Sequence, residues 1–410
     1  MDVRDRLRKR IEDKRDQLVE VQRDLTAVPA LGPENGGTGE AEKARVLAGW
    51  VERLGLGPCA HHPAPDPRVP GGERPNLVVT LPGQLTGCSF WIMTHMDIVP
   101  PGEASMWESD PYTLVVRGDR LIGRGVEDNQ QSLVASLFAA ACVQELGLEP
   151  SRTTRLLFVS DEETGSTHGA WHVARTTGLF TPRDLALVPD SGSRDGSEIE
   201  IAEKSILWLR VGTRGKQCHG STPHKGRNAF EAASHLVVRL GALAEAFPQV
   251  DSLFDPPVST FAPTKKEANV PNINTIPGDD AFCLDCRVLP SVDLDDVIAK
   301  IRSIAGSVQR DFGVTVEVQT VQRASSPATS ADSPIVTSLA SAIRAVYGVE
   351  ARTVGIGGGT VGAVLRSQGI PTAVWSRVEE NAHQPNESCL VSNMIGDAVV
   401  MGLLMLGQPG

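Results

Sequence analysis

The sequence predicts an α/β protein of two domains, one inserted within the other. Three observations carry this expectation. The chain has 410 residues, 40% of them apolar, enough to bury a large core and long enough for two domains. Apolar runs of strand length alternate with helical periodicity up to residue 204 and again from residue 322, as in a layered α/β domain. Between these stretches the order strand, helix, strand, strand, helix, strand is that of a split, ferredoxin-like α/β sandwich. The expected boundaries are therefore 1–204 with 322–410 for the outer domain and 205–321 for the insert.

Taken in order, residues 3–28 read as one helix, with Ile11, Leu18, Val21 and Leu25 at near-helical spacing and Pro29 as its stop. A Gly-rich, disordered-looking turn at 31–39 leads to a second helix over 40–54, and the Pro-rich stretch 58–75 reads as loop. Residues 76–81 and 89–94 have the apolar content of buried strands. A helix over 129–146 and strands over 155–160 and 184–188 complete this half. In the insert, strands are expected at 205–212, 258–265, 281–289 and 314–320, with helices at 228–247 and 294–312. A Ser/Ala/Thr-rich linker over 324–333 returns the chain to a helix at 334–347, a strand at 351–356, a helix at 360–368 and a strand at 370–375.

The formal charge of −11, without a dense basic patch, disfavours nucleic acid and anionic membrane as partners. Residues 1–23 are crowded with charge and lack the apolar core of a secretion signal, and no later apolar run reaches the length of a membrane span. The expectation is a soluble cytoplasmic protein. Seven scattered cysteines form no disulfide framework. Cys283 and Cys286 fall on a strand, where positions three apart face opposite ways, so free thiols are expected there rather than a metal site.

Chemistry concentrates where apolar strands end. His95-Met96-Asp97 closes one strand, and Asp97 could hold one ring nitrogen of His95 while the other binds a metal; a structural His beside an Asp fits these residues as well. The Gly-flanked turn 123–129 presents Asp128 at the mouth of a helix, where a plain N-cap is the other reading. Asp161-Glu162-Glu163 follows another strand, and three adjacent acids converging in a cleft need a cation or many hydrogen bonds. One Glu can then bind metal and its neighbour act as general base. Asp190 and His383 stand after two further strands. Gly357-x-Gly359-x-x-Gly362 also fits a dinucleotide fingerprint, but no second mononucleotide-type half accompanies it. His168 and His172 are four apart without the intervening Glu of a metalloprotease helix.

These segments resemble the M20 family of metallopeptidases and amidohydrolases, whose members include desuccinylases, deacetylases and dipeptidases. The matching residues are His95-x-Asp97, Gly123-Arg124-Gly-x-x-Asp128, Glu162-Glu163, Asp190, the run Gly215 to His224, Asn274 to Gly278, Asp285-x-Arg287, Gly358-Gly359-Thr360 and His383, in family order along nearly the whole chain. The resemblance implies a zinc-peptidase-like catalytic domain with a central mixed sheet, and an inserted lid and dimerisation domain. It implies two divalent ions, zinc by preference with cobalt or manganese able to take the same ligands, bridged by Asp128. His95 and Asp190 would complete one ion's protein ligands, and Glu163 and His383 the other's. Asp97 would orient His95, Glu162 would be the acid/base, and the Asp128–Asn129 peptide would be cis. His219 would reach the active site of the partner subunit in a homodimer, while Asn274, Arg287, Gly359 and Thr360 would bind substrate. The implied reaction is amide hydrolysis in a small N-acyl amino acid with a free carboxylate. Dipeptide hydrolysis stands beside it, because Asp190 occupies a place where deacylase relatives usually carry Glu. A non-catalytic binding protein is the rival from another class.

Overall fold

The computed structural model describes residues 2–407, so Met1 and residues 408–410, which the expected boundaries assign to the outer domain, lie outside it. The chain divides into two compact units, one of Met1–Ile201, Thr329–Val354 and Thr360–Gly410, the other of Ala202–Ala328 with Gly355–Gly359.

The first unit is organised by a mixed eight-stranded sheet. Its order is Ala60–His61, Leu77–Leu81, Arg152–Val159, Leu85–His95, Leu185–Ser193, Thr372–Arg377, Glu198–Glu203, Arg352–Ile356. The third to sixth of these run parallel. Their apolar runs are nearly unbroken because both faces of the sheet are covered. On one face Trp91, Met93, Leu157, Val159, Val188 and Val374 pack with residues of the helices Ala170–Thr176 and Gly362–Ser367. On the other lie Ser132–Glu145 and Val391–Leu406. The Ser132–Glu145 helix is buried without interruption from Ser132 to Val143, as expected of a helix apolar all round.

Several elements depart from expectation. The first helix is two, Val3–Glu12 and Arg15–Thr26, parted at Asp13–Lys14, where Arg10 and Lys14 both pair with Glu145. The 31–39 segment is an ordered turn, tied by Gly37 N–H to Gly32 and Gly39 N–H to Leu31. The helix expected from residue 129 begins at Ser132, since Asp128 (φ −110°, ψ 96°) and Asn129 (φ −124°, ψ 18°) leave helical values. Residues 228–247 form two helices, Ala229–Leu240 and Leu243–Ala246, with Gly241 between them. The Val391–Leu406 helix, the Glu198–Glu203 strand and the hairpin of Val115–Arg117 with Arg120–Ile122 were not anticipated.

The second unit holds a four-stranded antiparallel sheet in the order Thr260–Lys266, Asp279–Val288, Ser205–Arg214, Thr315–Ala324. The helices Ala229–Leu240 and Leu294–Phe312 bury Leu207, Leu209, Val211, Phe282, Leu284 and Cys286 on one face, and the chain order of these elements is the one read from sequence. Cys286 points into this core whereas Cys283 does not, and both are free. Among the described residues no helix is long and apolar enough to cross a membrane.

Packing of the Val391–Leu406 helix yields a stability test. A methyl group at Gly396 would collide with the Tyr347 hydroxyl, which donates to Asp397 Oδ1 at 2.7 Å. Ala is ordinarily the better helix former, yet we expect Gly396→Ala to destabilise the protein by about 1–3 kcal/mol through overpacking. Chemical denaturation reads the effect, and a midpoint at or above that of the parent would contradict it.

Candidate metal centre

The four parallel strands place the cluster at their carboxyl ends, where open α/β sheets present ligand crevices. His95 is the last residue of its strand and lies in register with Val159, so the Glu162–Glu163 turn starts beside it. Asp190 belongs to the neighbouring strand Leu185–Ser193, and His383 lies in the loop after Thr372–Arg377. Asp128 comes from the turn before the Ser132–Glu145 helix, and its peptide bond to Asn129 is cis.

Asp128 is the centre of the arrangement. Its Oδ1 is 2.9 Å from His95 Nε2 and its Oδ2 is 3.1 Å from His383 Nε2. Asp190 Oδ1 is 3.2 Å from the same His95 nitrogen, and Glu163 Oε1 is 3.2 Å from the same His383 nitrogen. Two groups of donors thus share one carboxylate: His95, Asp128 and Asp190, and Asp128, Glu163 and His383, with the donor atoms in each group within 4.8 Å of one another. His95 and Glu162 also fall within such a distance of Glu163.

Hydrogen bonds fix the orientation of these groups. His95 Nδ1 lies 3.0 Å from the backbone carbonyl of Asp97 and 3.5 Å from its carboxylate, which directs Nε2 toward Asp128. The Asp97 carboxylate accepts the backbone N–H groups of Glu162 (3.1 Å) and Glu163 (3.0 Å), so it holds the acidic turn more directly than the imidazole. Asp161 enters this turn in the left-handed region, φ 65°, a conformation Asp tolerates better than most residues. Its buried carboxylate is tied to Arg74 Nη1 (3.0 Å), to the N–H of His168 (2.8 Å) and to the Thr164 hydroxyl. Asn129 donates from Nδ2 to the Pro189 carbonyl (2.8 Å) and to Asp190 Oδ1 (2.9 Å), linking the Asp128 turn to the next strand. Sequence reasoning gave no role to Asn129, Arg74 or Asp161; only the run of three acids hinted at the last.

The electrostatics are those of a cluster short of positive charge. Burial disfavours the charged form of His95, but hydrogen bonds to Asp128, Asp190 and Asp97 outweigh it and raise its pKa well above the usual value. Hydrogen bonds to Asp128 and Glu163 raise His383 to about 10. Burial would raise Asp128, yet the bonds from His383 and His95 hold it below the carboxylate range. Burial, reinforced by the charge of Asp190, lifts Glu162 well above that range. Burial lifts Glu163 to about 7. Asp128, Glu162, Glu163 and Asp190 gather four carboxylates around two imidazoles. Donors on one tetrahedral zinc-type ion, with bonds of about 2.0–2.1 Å, stand about 3.3 Å apart. The separations between imidazole and carboxylate here match that value, so the residues fit one or two divalent ions, and N/O donors of this kind suit zinc, cobalt or manganese.

The remaining expected site residues, Thr360 apart, belong to the second unit. His219, in the exposed ribbon of Cys218–His219 and Thr275–Ile276 of the second unit, bonds through Nδ1 to Ser221. Asn274 accepts the N–H of Gly220 on its backbone carbonyl, beside that ribbon. Arg287 is held by Asp285 in a two-point contact (2.8 and 3.2 Å) and donates to the Gly357 carbonyl (3.0 Å), on the segment that also carries Gly359. Thr360 belongs to the first unit, where its hydroxyl accepts the N–H of Gly362. His168 precedes the Ala170–Thr176 helix and is engaged by Asp161, so it does not form a helical pair with His172.

Residues 91–406 match the model of peptidase family M20/M25/M40. An uncharacterised metallohydrolase of Methanococcus maripaludis is 35% identical over 94% of this chain and 97% of its own length. A succinyl-diaminopimelate desuccinylase of Xanthomonas oryzae pv. oryzae is 29% identical over 71% of this chain and 73% of its own. By fold, the chain is similar to aminopeptidase PepT of Bacillus cereus, with a TM-score of 0.75 at 20% identity over 96% of this chain and 98% of the other.

Protonation of the two imidazoles has a measurable consequence. Without metal, His95 and His383 keep their protons at neutral pH because both are raised, and a metal must displace them. Affinity for Zn²⁺ should therefore rise with pH up to about pH 10, where His383 loses its proton unaided, with proton release at neutral pH. Calorimetry in buffers of different ionisation heat counts the protons; binding with no release would contradict this electrostatic picture.

Proposed function

The chain belongs to peptidase family M20/M25/M40, and on that premise we propose that this metal-dependent hydrolase cleaves the amide bond of a small N-acyl amino acid at a two-ion centre. The observation that carries the proposal is the Asp128 carboxylate, one oxygen toward His95 and the other toward His383. In this reading Asp128 would hold both divalent ions, with His95 and Asp190 as the further protein ligands of one and Glu163 and His383 as those of the other. When bound, the ions would lower the pKa of a water molecule towards about 7 and polarise the scissile carbonyl.

The chain's own residues supply the rest. Glu162 takes a proton from the attacking water as the new C–O bond forms, and returns it to the amine nitrogen as the C–N bond breaks. No hydrogen bond among the described residues engages its carboxylate, and burial beside Asp190 raises its proton affinity, so it can serve as acid as well as base. Asp97 holds the Glu162 turn by its amides. A cavity of about 290 Å³ beside the cluster, lined by Glu127, Asp128, Asp190 and Glu380, has room for a small group.

We take 1–204 with 322–410 as the catalytic domain and 205–321 as a ferredoxin-like lid and dimerisation domain. His219, supplied by the partner subunit of a homodimer, is proposed as donor to the tetrahedral intermediate. Arg287 and Asn274 are proposed to receive the substrate carboxylate, which guanidinium suits, and Gly359 and Thr360 to bind substrate beside them. The desuccinylase relative supports deacylation. Asp190 favours a second reading, dipeptide hydrolysis, because an acid one methylene shorter than Glu leaves room for a substrate amine. A panel of N-acetyl and N-succinyl amino acids alongside free-amine dipeptides separates the two. Chelation should abolish turnover and divalent metal restore it, whereas turnover indifferent to both would contradict the proposal.

Two variant classes test the roles. Glu162→Gln should keep its ions and lose about 10²–10⁴-fold in kcat, and activity within a few-fold of the parent would remove Glu162 as base. Asp128→Ala should lower the occupancy of both ions together, while His383→Ala weakens chiefly one. Elemental analysis distinguishes them, and two fully retained ions after Asp128 is removed would contradict the bridge.

A further inference from the structure

Two buried carboxylates that the proposed chemistry leaves unused join the turn bearing Asp128 to the loop bearing His383. Glu387 is fully buried. Its Oε2 accepts Arg124 Nη1 (2.6 Å) and the N–H of Gly125 (3.0 Å), and its Oε1 accepts the N–H groups of Glu127 (2.9 Å) and Asp128 (3.0 Å). Glu127 works in the opposite direction. It is 4% exposed, and its carboxylate accepts the N–H of Glu379 on one oxygen and the N–H of Asn381 on the other, the latter at 2.8 Å. Each segment thus lends a carboxylate to the backbone amides of the other.

The His383 loop needs such ties. Glu380 (φ 59°), His383 (φ 64°) and Asn386 (φ 60°) all occupy the left-handed region. Non-glycine residues held there are strained and persist only where their surroundings over-determine them. A further pair of hydrogen bonds closes the loop on itself, from Ser388 N–H to Asn381 Oδ1 (2.8 Å) and from Asn381 Nδ2 to the Ser388 hydroxyl (3.0 Å). Ser388–Leu390 is then anchored by antiparallel pairing to Arg120–Ile122, just before the Asp128 turn. His95 and Asp190 need none of this, because both sit on strands of the main sheet.

We propose that Glu127 and Glu387 are positioning residues, a reciprocal carboxylate clasp that presets His383 against Asp128 and so builds the second ion's ligand set before any ion binds. This inference rests on the two-ion reading above. Replacing either carboxylate by an amide removes one acceptor and turns an N–H donor toward backbone donors. The clasp therefore loosens with little change in side-chain volume.

The test uses Co²⁺ as the probe and the full-length protein. Wild type should take up two Co²⁺. Glu127→Gln and Glu387→Gln should each weaken the second Co²⁺ by about 10–100-fold, the range for partners that orient a ligand, while the first stays within a few-fold. Because both carboxylates tie the same two segments, the double variant should lose less than the sum of the single losses. In the metal-free protein, amide hydrogen exchange over residues 378–386 should quicken in Glu127→Gln, a readout that does not depend on metal. If Glu387→Gln does not fold, Glu127→Gln alone decides. Two Co²⁺ in wild type, with both affinities and the 378–386 exchange unchanged in Glu127→Gln, would overturn the clasp. Fewer than two Co²⁺ in wild type would instead overturn the two-ion reading beneath it.

Discussion

A carboxylate whose two oxygens face two different imidazoles has to be held in place from behind when one of those imidazoles, here His383, comes from a loop. At Asp128 that constraint organises the first unit. Oδ1 looks toward His95, Oδ2 toward His383, and the acids Asp190 and Glu163 flank the same two nitrogens. Left to themselves, these acids would repel one another. The imidazolium charges offset part of that repulsion, and divalent cations would offset more of it while making the imidazoles ligands.

The fold meets the constraint by rank of rigidity. His95 and Asp190 come from parallel strands buried on both faces, where a side chain's direction is set by the ladder. Glu162 and Glu163 come from a turn that Asp97 grips by its amides and that Asp161 enters with its carboxylate fixed by buried Arg74. His383 comes from the least regular segment of all. The division explains why side chains outside the donor set, Asp97, Asn129 and Asp161, bond so often to main-chain groups: they define where short, irregular segments run.

Much of this was legible in the sequence because strand ends are. His95, Glu162, Glu163, Asp190 and His383 each come after an apolar run that reads as a strand and is one, and their chemistry stands out against it. The Leu294–Phe312 and Pro334–Tyr347 helices have the bounds expected from sequence, and in the structure Asp293 caps the first while Pro334 opens and Gly348 ends the second. Strand order was not legible, since Thr372–Arg377 pairs with Leu185–Ser193 although the sequence of the whole second unit lies between them. The Val391–Leu406 helix was not read from the sequence, although the Ser132–Glu145 helix, buried as completely, was. The amide-binding role of Asp97 was hidden for another reason: its partners are backbone groups, which every residue carries.

A two-ion centre of this kind requires one carboxylate to serve both ions. Anomalous scattering from crystals grown with zinc measures this directly. Two peaks are predicted, one among His95, Asp128 and Asp190 and the other among Asp128, Glu163 and His383, with a separate Asp128 oxygen directed at each. A single fully occupied peak at saturating zinc, or two peaks of which only one contacts Asp128, would contradict it.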